Sequence, residues 1–153
     1  MSENPVETAI PGAVVGSSEY RGQASLEIAS AQIVEVCRFL RDRGQFSRLS
    51  GVTAVDWYPT EPRFEIVYFL HSLERNQRLR LKCRVPSGAP EIDSVTGVWP
   101  AANWYEREVF DLFGVVFRNH PDLRRIMMPD DWEGYPLRKD YAVTGPKYTY
   151  TEE

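Results

Sequence analysis

FEIVYFLHSLERNQRLRLKCRV, residues 64–85, decides the fold. Two β-prone runs flank a polar segment at 73–76, the pattern of two antiparallel strands joined by a tight connection. If Leu70 faces Leu79, then Tyr68 meets Leu81, Ile66 meets Cys83 and Phe64 meets Val85. These eight residues then land on one side, and a slip by one residue would turn them to the other, so burial fixes the register. The other side carries Arg78, Arg80, Lys82 and Arg84, with Glu65 across from Arg84. That cationic row reads as a solvated sheet face or as an edge strand guarded by charge. A face for a protein partner is the next reading. Nucleic acid is not expected, because no stacking aromatic alternates with the cations.

Working outward, a third strand at 52–58 precedes the turn that holds Pro59 and Pro62. Before it, a helix is predicted over 31–43, with Ser30 as N-cap and Gly44 just past its end. Ile33, Val36, Cys37 and Leu40 form its apolar stripe, so Cys37 reads as a core thiol. A short strand is expected at 24–28, and residues 1–15 read as a loose lead-in. Downstream, 86–90 is a loop and 92–99 a short helix. A second clear helix is predicted over 104–113, capped by Asn103 with Glu106 at N3 as a capping box and stopped by Gly114. A last short strand follows at 115–117.

At 153 residues the chain reads as one domain large enough to need no disulfide or metal staple. A 12% aromatic share argues against disorder, and a net charge of −4 gives no electrostatic reason to bind nucleic acid. Cys37 and Cys83 are far apart and only His71 and His120 could join them, so no metal site is expected. Neither a dinucleotide nor a P-loop signature occurs, and no apolar run reaches the roughly 20 residues that span a bilayer. The acidic N-terminus lacks the features of a leader, so an intracellular chain is expected.

The densest stretch is WYEREVFDLFGVVFRNHPDLRRIMMPDDWEGYPLRKDY, residues 104–141. On a helical wheel the apolar arc of 104–113 covers about two-thirds of the girth, the mark of burial on more than one side. Arg107 and Asp111, four residues apart in the remaining polar sector, are expected to pair. Glu106 and Glu108 project within the apolar arc, where buried carboxylates need partners; Arg124 and Arg125 are the candidates. As an acid/base pair Glu106 and Glu108 point nearly opposite ways, and His120 reads as a turn histidine. A free-standing hydrolase using Glu106, Glu108 and His120 is therefore the weaker alternative.

From residue 118 onward periodicity stops, yet Met127, Met128, Trp132, Tyr135, Leu137 and Tyr141 are interspersed with Pro121, Pro129 and Pro136. Trp, Tyr, Met and Arg are what interface cores favour. Residues 118–153 accordingly read as an extended arm laid over a partner, with Trp132, Tyr135, Arg138 and Tyr141 as its anchors.

ERE at Glu106, Arg107 and Glu108, DLFG from Asp111, HPDLRRI from His120 and GYPLRKDY from Gly134 through Pro136, Arg138 and Asp140 to Tyr141 stand in order. On these motifs the chain resembles the 30 kDa subunit family of respiratory complex I, the proton-pumping NADH:quinone oxidoreductase. It departs from the family pattern at Ala142, where proline is usual. The resemblance implies an α+β fold: a two-layer domain at 1–117, with a mixed or antiparallel sheet and helices packed on one face, plus the extended C-terminal arm. It implies a non-catalytic structural subunit that binds no cofactor, while FMN, iron–sulfur clusters, NADH and quinone belong to other subunits. The implied main partner is the 49 kDa-like subunit, with iron–sulfur subunits of the hydrophilic arm as neighbours. The implied location is the cytoplasmic side of the bacterial cell membrane, with membrane association only through the complex. A homologous subunit of a membrane-bound hydrogenase-type complex is the alternative within the resemblance.

Overall fold

The computed structural model describes residues 4–142. A five-stranded mixed sheet has the order β1-β2-β5-β4-β3, formed by β1 (Val14–Tyr20), β2 (Gln23–Ile28), β3 (Arg48–Asp56), β4 (Phe64–Ser72) and β5 (Gln77–Val85). β4 and β5 pair in the register expected from their side chains, Leu70 with Leu79 through Phe64 with Val85. β2 runs parallel to β5, from Ala24 beside Leu79 to Glu27 beside Lys82. β5 is therefore the central strand, and the reading of it as a possible edge is corrected. Two of its four cations are held against the sheet, while Arg78 is exposed. Arg80 donates to Gln23 and lies over Phe69, while Arg84 donates to the Pro62 carbonyl and lies over Trp57. Glu65 sits 3.7 Å from Arg84 and is buried.

One face of the sheet is covered by α2 (Ile33–Asp42) and α3 (Ala102–Phe113). Ile33, Val36, Cys37 and Leu40 are all buried, because their i, i+3, i+4, i+7 spacing puts them on one side of α2. The N-terminal boundary differs from expectation. Residues Ser30–Gln32 form a 3-10 turn, and no side chain caps α2.

The lead-in is also structured. Asn4 caps α1 (Pro5–Ala9) by accepting the Val6 N–H at 3.0 Å, and Val6, Ile10 and Ala13 are buried. Five residues give too short a window for periodicity to show. β1 escaped for a different reason: its outer position leaves most of its side chains exposed, so it lacks alternation. The helix expected at 92–99 is instead β6 (Glu91–Asp93) followed by turns, and β6 pairs in parallel with β7 (Val116–Arg118).

Candidate functional site

α3 carries the charged residues on which the C-terminal segment is built. Its sequence reading has to be revised on three points. Asn103 does not cap it; the N-cap is Ala101, without a side-chain bond. Arg107 and Asp111 do not pair across a solvated sector, since both are buried. Glu106 meets neither Arg124 nor Arg125, and Glu108 is exposed rather than set in an apolar surface. For Arg107 and Asp111 the physical cause is shared. The polar side of α3 is roofed by residues 119–142, here termed the strap.

Asp111 is the main fastening. Its Oδ2 accepts the N–H groups of Ile126, Met127 and Met128 at 3.0, 2.6 and 2.9 Å, and its Oδ1 accepts from Arg125 at 2.7 Å. Burial by itself would raise its pKa, but the Met128 N–H, the Arg125 guanidinium and the other two N–H groups together hold it below the usual carboxylate range. Arg107, one turn earlier, donates to the carbonyls of Arg124 and Arg125 and lies over the Trp104 ring. Arg125 also donates to the Gly134 carbonyl, tying two stretches of strap together. Arg124 is spent on an exposed pair with Asp122.

A second fastening lies at the far end. Asp56, at the end of β3, takes a bidentate pair from Arg63 at 2.8 and 2.9 Å. The same guanidinium reaches Asp140 at 2.6 Å, and the Lys139 N–H donates to Asp56 at 2.8 Å. Arg63, and then the Lys139 and Tyr58 N–H groups, pull the Asp56 pKa down to about 2 against its burial. Asp56 and Arg63 were not singled out from the sequence. An acid at one strand end and an arginine at the next strand start, bracketing a proline-rich turn, is the signal that marks such a pair.

Between the two fastenings, Tyr135 packs edge-on to Phe110, and Arg138 lies over Tyr135 and Phe64 while donating to the Phe113 carbonyl. Pro136, Trp132 and Tyr141 are half-buried. The anchoring expected of Tyr135 and Arg138 is thus directed at the chain's own body, as is the Asp140 carboxylate. Up to residue 142 the segment expected to lie over a partner is fastened to the chain's own body; residues 143–153 of the expected arm lie outside the described residues. Gly114 ends α3 at φ +77, as its position predicted. A Cβ there would lie 2.6 Å from Arg138 Nη2 and from Tyr135 Cδ2 and Cε2. Gly114→Ala should lose about 1–2 kcal/mol from the left-handed backbone alone and lift the strap as well. Thermal unfolding together with trypsin cleavage at Arg138 reads both effects; unchanged resistance at Arg138 would refute the close approach.

The strap's outward surface is apolar at several points. Ile126, Met127 and Leu137 are exposed, as is Trp104 on α3. Among the described residues no group of three or more His, Cys, Asp or Glu side chains could hold a metal, and no helix is long and apolar enough to cross a membrane. A five-stranded mixed sheet, a helix with buried charge and a strap locked over it, apolar at points on its outside, define a small domain of the α+β class.

The family described as respiratory-chain NADH dehydrogenase, 30 kDa subunit, matches residues 26–147, and the chain belongs to that family. It is 53% identical to the corresponding NADH-quinone oxidoreductase subunit of Geobacter sulfurreducens, over 84% of this chain and 80% of that one. It is 45% identical to the Roseiflexus sp. subunit of the same name, over 95% of this chain and 85% of that one. Among solved structures, the trypsin-resistant fragment of Nqo5 superposes with a TM-score of 0.66 at 30% identity, over 71% of this chain and 89% of the fragment. A chain of an archaeal respiratory membrane complex, the membrane-bound sulfane sulfur reductase, gives 0.79 at 29% identity, over 90% and 82%.

Proposed function

We propose that the chain is a structural and assembly subunit in the hydrophilic arm of a complex I-type NADH:quinone oxidoreductase. In this reading it has no catalytic site, FMN, iron–sulfur clusters, NADH and quinone are handled by other subunits, and its main partner is the 49 kDa-like subunit. It sits on the cytoplasmic side of the membrane, held there through the complex. The observation that carries the reading is that the family match runs through the strap, whose inner side is fastened to the body while Ile126, Met127 and Leu137 face outward. Apolar side chains of this size in the fully buried centre of an interface supply much of its energy. The likeness to a sulfane sulfur reductase chain favours a related respiratory complex as the second reading. The higher identity to the NADH-quinone oxidoreductase subunits ranks it second.

Because the strap's internal fastenings and its outer residues are different side chains, assembly can be tested without unfolding the domain. In the double variant Met127→Asp with Leu137→Asp, stability of the free chain should stay within about 0.5 kcal/mol of the parent. Recovery of the 49 kDa-like subunit and of NADH:quinone reductase activity on a tagged chain should fall at least about tenfold, as loss of an interface centre requires. The free chain should be colourless and without stoichiometric iron, flavin or zinc. Undiminished recovery with the double variant, or a cofactor in the free chain, would overturn the proposal.

A further inference from the structure

Glu106 is fully buried, and its carboxylate has no cationic partner among the described residues. Its Oε1 accepts the Val95 N–H at 2.7 Å, and its Oε2 accepts the Ser94 hydroxyl at 2.6 Å. His120 is its one ion-pair neighbour, with Nε2 4.0 Å from Oε2. The ring's other bonds decide its charge. Nδ1 accepts the Asp122 N–H at 3.0 Å, so the proton is on Nε2, which lies 3.1 Å from the Asn103 carbonyl and donates to it. An imidazole placed this way is neutral. The remaining titratable groups that face or feel this carboxyl are Cys37 from α2 and Tyr68 from β4, both buried and both pushed upward, chiefly by burial. Asp93 on β6 is engaged with Arg118 at 3.0 Å. Nothing on these elements offers a positive charge to balance an ionised Glu106.

The Ser94 hydroxyl supplies an alternative. Ser94 Oγ is 2.9 Å from Thr96 Oγ1, and the Thr96 side chain is half-exposed at the surface of the turn. We propose that Glu106 is a buried proton-binding site, reached from solvent through the hydroxyl relay Thr96–Ser94–Glu106. With Glu106 ionised, Ser94 donates to Oε2 and accepts from Thr96. With Glu106 protonated, the new Oε2–H donates to Ser94 Oγ, whose own proton rotates to Thr96 Oγ1. The proton taken up comes from hydronium in the solvent, where one O–H bond breaks, and one O–H bond is the only bond formed at the carboxyl. Both states keep every hydrogen bond, which an apolar pocket or a fixed cation would not allow. Burial, outweighing the Ser94 and Val95 bonds, pushes the carboxyl up to about 7, so both states are populated near neutrality.

The test is a carbon-13 titration of the Glu106 carboxyl in the full-length chain, with Glu106→Gln to assign its signal. Titration between about pH 6 and 8 is expected; titration in the ordinary range near 4.3, or none up to pH 9, overturns the site. In Ser94→Ala the carboxylate loses the hydroxyl that favours its charged form, so the midpoint should move upward. An unmoved midpoint removes Ser94 from the relay and overturns that route. Folding stability gives a second readout. A folded pKa above the unfolded one confers stability that is complete below about pH 4.5 and lost as pH rises through 7. That slope should vanish in Glu106→Gln, and its persistence there would assign it to another group and overturn the proposal.

Discussion

Replacing Asp111 with alanine is expected to destabilise the chain by roughly 3–5 kcal/mol and to free the strap. The substitution leaves the Arg125 guanidinium without its carboxylate and three successive N–H groups, those of Ile126, Met127 and Met128, without an acceptor. Each of these part-buried donors left unsatisfied carries a desolvation penalty of up to about 1–3 kcal/mol, partly relieved as water enters where the strap lifts. Glu108→Ala, on the same helix but exposed, is the matched control and should stay within about 0.5 kcal/mol. Urea unfolding measures the loss, and amide hydrogen exchange at Ile126, Met127 and Met128 shows where it falls. A loss below about 1 kcal/mol with those amides still protected would mean that Asp111 does not hold the strap.

At this residue sequence and structure part company for a physical reason. A helical wheel places Arg107 and Asp111 together in a polar sector, and such a sector is ordinarily solvated. What buries it is a strap without periodicity, so no local pattern announces it. The strands were legible because alternation over 64–85 admits one register with a buried face. Gly114 was legible because a glycine after an apolar helix marks a left-handed end. The order of strands was not, since the parallel contact of β2 with β5 joins segments more than fifty residues apart and leaves no trace in spacing. Of the candidate site, the motifs from Glu106 to Tyr141 name residues of α3 and the strap but do not reveal their partners. Those partners include Ser94, Asp56 and Arg63, which stand outside any motif.

Arg63→Met should produce a comparable loss, roughly 3–5 kcal/mol at neutral pH, because Asp56 would stay buried with only the Lys139 and Tyr58 N–H groups to hold its charge. The acid dependence distinguishes this from a simple packing defect. Asp56 is depressed to about 2 when folded against an ordinary value near 3.9, a difference of roughly 2–3 kcal/mol in favour of the folded state. A depressed pKa confers stability that is present above the unfolded value and lost as pH falls through the folded one. The gap between parent and Arg63→Met should therefore be widest above pH 4 and close as pH falls from about 4 towards 2. Asp140→Asn removes only the half-exposed arm of the cluster and should cost under about 1 kcal/mol. It should nevertheless loosen residues 139–142, which would still be held by the Lys139 N–H on Asp56 and the Tyr141 N–H on the Arg138 carbonyl. Equilibrium unfolding of the three chains between pH 2 and 7 measures all of this. A gap that stays constant across that range would show that Arg63 acts through its packing over Tyr58 and Phe64 and not through the charge of Asp56.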